Sequence, residues 1–274
     1  MIQLGRFQIE LYNFGDFRLD GGAMFGSVPK NLWSRRIACD EDNCIRLATN
    51  SLVIADGERR FLLDVGLGDK WNEKSRKIFD ISYTPLSKES AASITDIVLT
   101  HLHFDHAGGI SHYADSGDLV LTYPKARVHL QHSNLETAQN PNPKERASYL
   151  KENVEILAGA DVALLKGSGE IYPGISVHEV HGHTAGQQYI ELQDGGESLI
   201  FPTDVIPTSH HVPLPFTMGY DICAETILRE KQELLEKAVA KRSLVVFQHD
   251  TTVKAARIGK DEKGGFQITE TLLV

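Results

Sequence analysis

The chain of 274 residues is poor in cysteine, methionine and tryptophan, with three, three and two. Cys39, Cys44 and Cys223 are too sparse, and odd in number, for a disulfide framework, and they point to a reducing compartment. No apolar run approaches the ~20 residues of a membrane helix, so no membrane partner is expected. Positive charge is also short: 28 Lys and Arg stand against 37 Asp and Glu, a formal charge of -9. A surface that tracks nucleic acid needs clustered positive charge, so no nucleic-acid partner is expected either. Met1 to Arg6 lack the charged-then-apolar layout of a signal peptide, which makes the expected location cytoplasmic. Repeats, low-complexity tracts and Pro/Gly/Ser linkers are missing, so residues 1–274 read as a single domain. With 41% hydrophobic and 24% charged residues, the chain can bury a core without a structural metal or disulfide.

Strand signals dominate the first half. Gln8 to Phe14 alternates with period two, and Asn50–Ala55 and Arg60–Asp64 flank the turn signal Asp56-Gly57. Helical spacing covers Lys70 to Phe79, and Thr95 to Thr100 is a short β-branched run fit for a buried strand. About 133–160 changes character. It is polar, carries Asn140-Pro141-Asn142-Pro143, turns helix-like from Lys144 to Leu157, and reads as a cap or insertion beside the site. Strand patterns return at Ile175–Val180, Gln188–Leu192, Ser198–Phe201 and Ser243–Phe247. A long helix is expected over Ala224–Ala240, its apolar positions being Ile227, Leu228, Leu234, Leu235 and Ala238. Strands and then helices in both halves predict two sheets packed together with helices outside.

What the chain has in plenty is histidine, twelve in all. Thr100-His101-Leu102-His103-Phe104-Asp105-His106-Ala107-Gly108-Gly109 places four potential metal ligands within six residues, directly after a strand. If extended geometry continues, His101, His103 and Asp105 share one side, and His106 adds a donor where the chain turns. Gly108-Gly109 permits close backbone packing afterwards. Burying so many polar groups behind an apolar strand is costly without a partner, and imidazole with carboxylate suits zinc and its neighbours. More donors follow predicted strands: His183 in His181-Gly182-His183-Thr184, Asp204 in Pro202-Thr203-Asp204, and His249 in Gln248-His249-Asp250. His112, His129, His132, His178, His181, His210 and His211 stand apart and read as surface or hydrogen-bonded core residues.

His-x-His-x-Asp-His with downstream His183, Asp204 and His249 resembles the metallo-β-lactamase superfamily of binuclear metallohydrolases, over nearly the whole chain. The resemblance implies an α/β (α+β) fold: an αββα sandwich of two mixed β-sheets with helices on the outer faces. It further implies two divalent metal ions, with zinc expected and manganese, iron or cobalt as alternatives. His101, His103 and His183 would hold the first metal, Asp105, His106 and His249 the second, and Asp204 would bridge them. Asp64 resembles the acidic position that orients a ligand histidine. Gly22 to Lys30, Leu214-Pro215-Phe216 and Gly219-Tyr220-Asp221 resemble the branch holding quorum-quenching N-acyl homoserine lactonases and methyl parathion hydrolase. Dimerisation, as a homodimer, rests on the resemblance alone.

Two divalent cations bring four positive charges, and Asp105, Asp204 and a bridging hydroxide remove three. The remaining positive charge suits an anionic tetrahedral intermediate, and a metal-bound water ionises near pH ~7. The expected reaction is therefore hydrolysis of a small-molecule ester, with a lactone favoured and a phosphoester or a glyoxalase II-like thioester next. No basic C-terminal segment suits glutathione carboxylates, which lowers the thioesterase reading. A diiron redox protein of this fold is the alternative from another class, but His103 stands where that group resembles His-x-Glu-x-Asp. One departure concerns the lactonases: Pro207 occupies the position, three residues after Asp204, where that branch commonly carries a tyrosine. Tyr220, His210 or His211 could supply the missing donor, with Tyr220 the candidate, and the leaving-group acid is either Asp105 or a metal-bound water. Met24, Phe25 and Trp33 are expected in an apolar substrate wall or a subunit contact.

Overall fold

Alternate residues of the central strands enter different cores. Leu52 and Ile54 face one cluster and Val53 another; Leu199 and Phe201 divide from Ile200, and Leu244 and Val246 from Val245, in the same way. Side chains alternate across a strand, so a strand apolar at every position must be covered on both faces. The computed structural model describes residues 1–272 and shows two such sheets face to face. In spatial order the first runs Ile2–Leu4, Phe7–Asp20, Cys44–Asp56, Arg59–Leu63, Asp96–Val98, Arg127–Gln131 and Val162–Leu165. The second runs Gly169–Tyr172, Ile175–Val180, Gln187–Asp194, Glu197–Phe201, Leu244–Val246, Ala255–Lys260 and Phe266–Leu272. Both are mixed, because Arg59–Leu63 pairs parallel with Asp96–Val98 and Glu197–Phe201 parallel with Leu244–Val246. Phe7, Ile54, Phe61 and Leu63 meet Ile190, Leu192, Phe201 and Val246 between the sheets. Ile227, Leu234, Leu235 and Ala238 of the helix Ala224–Lys241 cover the outer face of the second sheet. The expected αββα layering is thus present.

The hairpin at Asp56-Gly57 closes as its sequence predicts, with Asp56 opposite Arg59. Other expectations need correction. The helix expected from Lys70 begins at Glu73, where the Asn72 side chain caps the Ser75 N–H. The helix expected over Lys144–Leu157 is broken: a 3₁₀ turn at Arg146–Ser148 and a helix at Lys151–Glu155 flank extended Tyr149 and Leu150. Tyr149 turns inward instead, its hydroxyl 2.7 Å from Thr184 Oγ1. Leu228 is 38% exposed, and the buried stripe of its helix passes through Lys231.

The strands of both sheets run to one common edge. Asp64 follows Arg59–Leu63, Thr100 follows Asp96–Val98, Asp204 follows Glu197–Phe201 and His249 follows Leu244–Val246. Cross-sheet bonds lock that edge: Gln188 N–H to Thr100 O at 2.9 Å and Asn50 N–H to Gln248 O at 2.8 Å. The carboxyl ends of parallel strands are the usual place for a site in such sheets.

Candidate metal centre

The strand before the histidine cluster ends at Val98, and extended backbone lasts only to His103, the N-cap of the short helix Phe104–Ala107. The chain turns one step earlier than an extended reading expects. Asp105 consequently leaves the side of His101 and His103 and joins His106. Glycine makes the turn possible, since a Cβ at Gly108 would overlap the Leu67 carbonyl and one at Gly109 the Val65 carbonyl. Asp204 sits in a 3₁₀ turn after Thr203, a non-glycine residue at φ 50°. Such local strain persists only where surrounding structure imposes it, here in part the 2.6 Å bond from Gln187 Nε2 to Thr203 Oγ1.

Seven donors from distant parts of the chain converge, none more than 7% exposed. They form two groups: His101, His103, His183 and Asp204, and beside them Asp105, His106 and His249. Asp204 touches both, with Oδ2 3.1 Å from His183 Nε2 and 3.4 Å from His106 Nε2, and Oδ1 3.0 Å from His249 Nε2. His101 Nε2 and His183 Nε2 lie 3.0 and 3.2 Å from His103 Nδ1.

The outer nitrogens show which way the rings are set. His249 Nδ1 lies 2.8 Å from the Ala48 carbonyl, which can only accept, so Nδ1 carries the proton and Nε2 turns a lone pair inward. His106 Nδ1 donates to Asp64 at 2.9 Å and His183 Nδ1 to Asp221 at 2.9 Å, with the same result. His106 Nε2, His249 Nε2 and Asp204 Oδ1 are buried without a hydrogen-bond partner. Buried orphans of this kind are rare and costly, and inward lone pairs from imidazole and carboxylate are what a divalent cation takes up. The donor set therefore fits two metals.

Electrostatics agrees. Burial lowers His101 and His103 well below the usual histidine value. Burial also acts against His183, yet Asp204 and Asp221 raise it to about 9, and Asp204 and Asp105 likewise raise His106 and His249. Without metal, the carboxylates draw protons onto the ring cluster in the place of cations.

A cavity of about 250 Å³ opens onto the cluster. Its wall is largely apolar, with Met24, Leu47, Phe79, Phe104 and Met218, and Glu145 and Ser148 add polar groups. Met24 is in the wall as expected; Phe25 and Trp33 are not among its lining residues. Those two stack behind it, with Phe25 sandwiched between Trp33 at 5.4 Å and His211 at 4.6 Å. His211 is spoken for by the Met24 carbonyl at 2.8 Å and Thr208 at 2.7 Å, and His210 lines a different surface hollow. Of the three proposed donors, only Tyr220 lines the cavity. Burial raises its hydroxyl to about 12, so it is a neutral donor at physiological pH. The other expected core or surface histidines are accounted for, as with His129 on Asp96 at 2.9 Å and His178 on Glu191 at 3.0 Å.

Sequence reading gave no role to Asp221, the partner of His183, nor to Tyr149, whose ring packs edge-on 4.8 Å from His103. It also passed over Glu145, a buried carboxylate in the cavity held by Thr184 at 2.8 Å.

A family model described as the metallo-beta-lactamase superfamily matches residues 44–249, which span all seven donors. The chain belongs to this superfamily. Within it, an N-acyl homoserine lactonase from a Bacillus species is 29% identical over 157 residues, 56% of this chain and 55% of that protein. The chain thus spans about half the length of the curated relatives it matches. A probable metal-dependent hydrolase from Staphylococcus aureus superposes with a TM-score of 0.89 at 26% identity, covering 99% of this chain and 100% of that one. AidC, a dizinc quorum-quenching lactonase, superposes with a TM-score of 0.80 at 18% identity, covering 100% and 97%. At that identity the likeness to AidC concerns the fold.

Proposed function

We propose that the protein is a dinuclear metal-dependent hydrolase of small esters, with lactones of the N-acyl homoserine type the favoured substrates. The observation that carries this reading is the pair of buried His/Asp groups sharing Asp204 at the floor of an apolar cavity. His101, His103 and His183 would hold one ion, Asp105, His106 and His249 the other, and Asp204 would join them. The metals, with zinc the favoured pair, would supply a bridging hydroxide nucleophile at neutral pH and polarise the substrate oxygen.

The protein's own residues do the rest. Asp64, Asp221 and the Ala48 carbonyl fix the ring orientations. Met24, Phe104 and Met218 exclude water around the scissile group and receive its apolar part. Tyr220 would donate to the substrate carbonyl in the role that Pro207 cannot fill, and Asp105 would take up the proton of the attacking hydroxide and pass it to the leaving oxygen. The volume of about 250 Å³ lies just under the usual ~300–1,000 Å³ of ligand pockets, which favours short acyl or aryl substituents. Among relatives named N-acyl homoserine lactonase the lactone reading has its support, and a phosphotriester or thioester would meet the same donors.

The test is metal content by elemental analysis, coupled to turnover of acyl homoserine lactones of graded chain length, aryl esters, a thioester and a paraoxon-like triester. About two zinc per chain with short-chain lactone opening, lost on chelation and restored by zinc, is the expected result. Dominant triester turnover would replace the lactone reading, and iron with no hydrolysis would overturn the hydrolase reading.

A further inference from the structure

The helix Ala224–Lys241 buries Ile227, Leu234, Leu235 and Ala238 in an apolar stripe, and in the middle of that stripe stands Lys231, 0% exposed. A lysine there is anomalous, because a buried ammonium costs several kcal/mol unless its donors are matched. Its Nζ is matched by three carbonyls of one turn: Pro213 at 2.9 Å, Leu214 at 3.3 Å and Phe216 at 2.7 Å. Among the described residues, no backbone N–H serves the Leu214 or Phe216 carbonyl. The ammonium therefore serves the Leu214 and Phe216 carbonyls alone and shares the Pro213 carbonyl with the Phe216 N–H, 3.0 Å away.

That turn leads directly into the cavity wall. Two residues beyond Phe216 comes Met218, then Tyr220, both lining the cavity. Asp221 follows, its Oδ1 on His183 Nδ1 at 2.9 Å and its Oδ2 accepting the Met218 N–H at 2.8 Å. Between them the Gly219 N–H bonds the Ala23 carbonyl at 2.7 Å, beside Met24 of the opposite wall. Residues 213–221 form no regular strand or α-helix. The segment is irregular backbone held at both ends, by Asp221 at the metal side and by Lys231 at the other.

We propose that Lys231 is a positioning residue: by clamping the carbonyls of the 213–216 turn, it sets the placement of Met218 and Tyr220 and so the fit of the cavity to its substrate. The clamp itself rests on contacts within the chain, while its effect on substrate rests on the hydrolase reading above. Lys231 touches no proposed metal ligand and sits on an element outside the cavity lining. Its loss should therefore be felt in substrate fit. Wall contacts are made to bound substrate before and during reaction, so KM should carry most of the change.

The experiment compares K231M, K231Q and K231R with the wild type at matched zinc content, by amide hydrogen exchange and by turnover of an aryl ester. In K231M, peptides spanning 213–222 should exchange at least tenfold faster while the central strands are unchanged. KM should rise at least tenfold, with kcat within about threefold. K231R, which keeps the charge and its donors, should recover part of both effects. A folded K231M with unchanged exchange and unchanged KM overturns the proposal; a lowered thermal midpoint with both unchanged shows a purely structural lysine and overturns it too. If K231M does not fold, K231Q, which keeps two N–H donors, carries the same comparison. Should the wild type hydrolyse no ester, the hydrolase reading fails, and the exchange comparison still decides the clamp.

Discussion

Asp64 offers the sharpest test of how the centre is held. It is fully buried, at φ 58°, and its two oxygens serve four donors. Oδ1 takes the Thr100 N–H at 2.7 Å; Oδ2 takes the Thr100 hydroxyl at 2.8 Å, His106 Nδ1 at 2.9 Å and Gln248 Nε2 at 3.0 Å. Asp64→Asn preserves the volume and tolerates the left-handed backbone, so only hydrogen bonding and charge change. An amide has one oxygen. The cheaper orientation places it at Oδ2 and turns the NH₂ against the Thr100 N–H, leaving a buried donor unmet at about 1–3 kcal/mol. The remaining bonds lose their charge assistance, about 1 kcal/mol more at His106. Metal-free Asp64→Asn should thus be less stable by about 3 kcal/mol in urea. His106 keeps its tautomer but loses basicity, and partners of this kind are worth about 10–100-fold in metal affinity. Zinc competition with a chromophoric chelator should show that loss for one of two ions. Equal affinity for both ions, beside the expected loss of stability, would refute the claim that Asp64 tunes the centre through His106.

Three further outcomes follow from the geometry. Asp96 is pushed up by burial, but His129, Arg59 and Thr95 more than offset this and hold it at about 2, below its unfolded value. Its contribution, about 2 kcal/mol after allowing for the half-exposed Arg59, is full above pH ~4 and disappears as pH falls through about 2. Urea midpoints of wild type and Asp96→Asn should accordingly differ at pH 5 and converge toward pH 2; a constant gap would contradict it. Gly108→Ala drives a methyl into the Leu67 carbonyl and should cost about 3 kcal/mol in a thermal melt, whereas Gly159→Ala, which meets nothing and needs no left-handed backbone, should cost far less. Tyr220→Phe should leave the thermal midpoint unchanged and lower kcat/KM for the best ester about tenfold, the worth of one lost hydrogen bond; an unchanged kcat/KM would remove Tyr220 from the reaction.

How far the site could be read in advance depended on whether its signal was local. Thr100 to Gly109 carries ligands and turn in one decapeptide, and chemistry alone marks it. Strands buried on both faces show as short apolar runs at Ile97–Leu99 and Leu244–Phe247, within Thr95–Thr100 and Ser243–Phe247, which is why the two sheets were legible. Lys231 was not, because the stripe was filled with the nearest apolar residue, Leu228. Strict helical spacing from Ile227 through Leu234 and Ala238 leaves a gap at 231, and that gap was the available signal. Asp221 carried only a resemblance, in Gly219-Tyr220-Asp221, and no signal of its role: a carboxylate in an irregular loop is assigned only by the ring it meets. Tyr149 broke an expected helix because its hydroxyl reaches Thr184, 35 residues later, and tertiary partners of that kind override local propensity.

The same distinction explains why the centre stands where it does. The first sheet's edge supplies His101, His103, Asp105 and His106, while His183, Asp204 and His249 follow strands of the second. Neither sheet alone holds a complete group, since the first group needs His183 and Asp204 and the second needs His249. Bringing the edges together places inward lone pairs and carboxylates in a largely buried space, an arrangement unfavourable in itself. Apolar burial between the sheets, from Phe7, Phe61, Phe201 and their neighbours, supplies the opposing free energy, and cross-sheet bonds at Thr100 and Gln248 fix the register. Cations at the centre bind only where both edges meet, so they act as a fastening between the layers. The fold therefore holds the donors in a strained proximity that the metals relieve, and the open cavity above them is where a substrate would meet that charge.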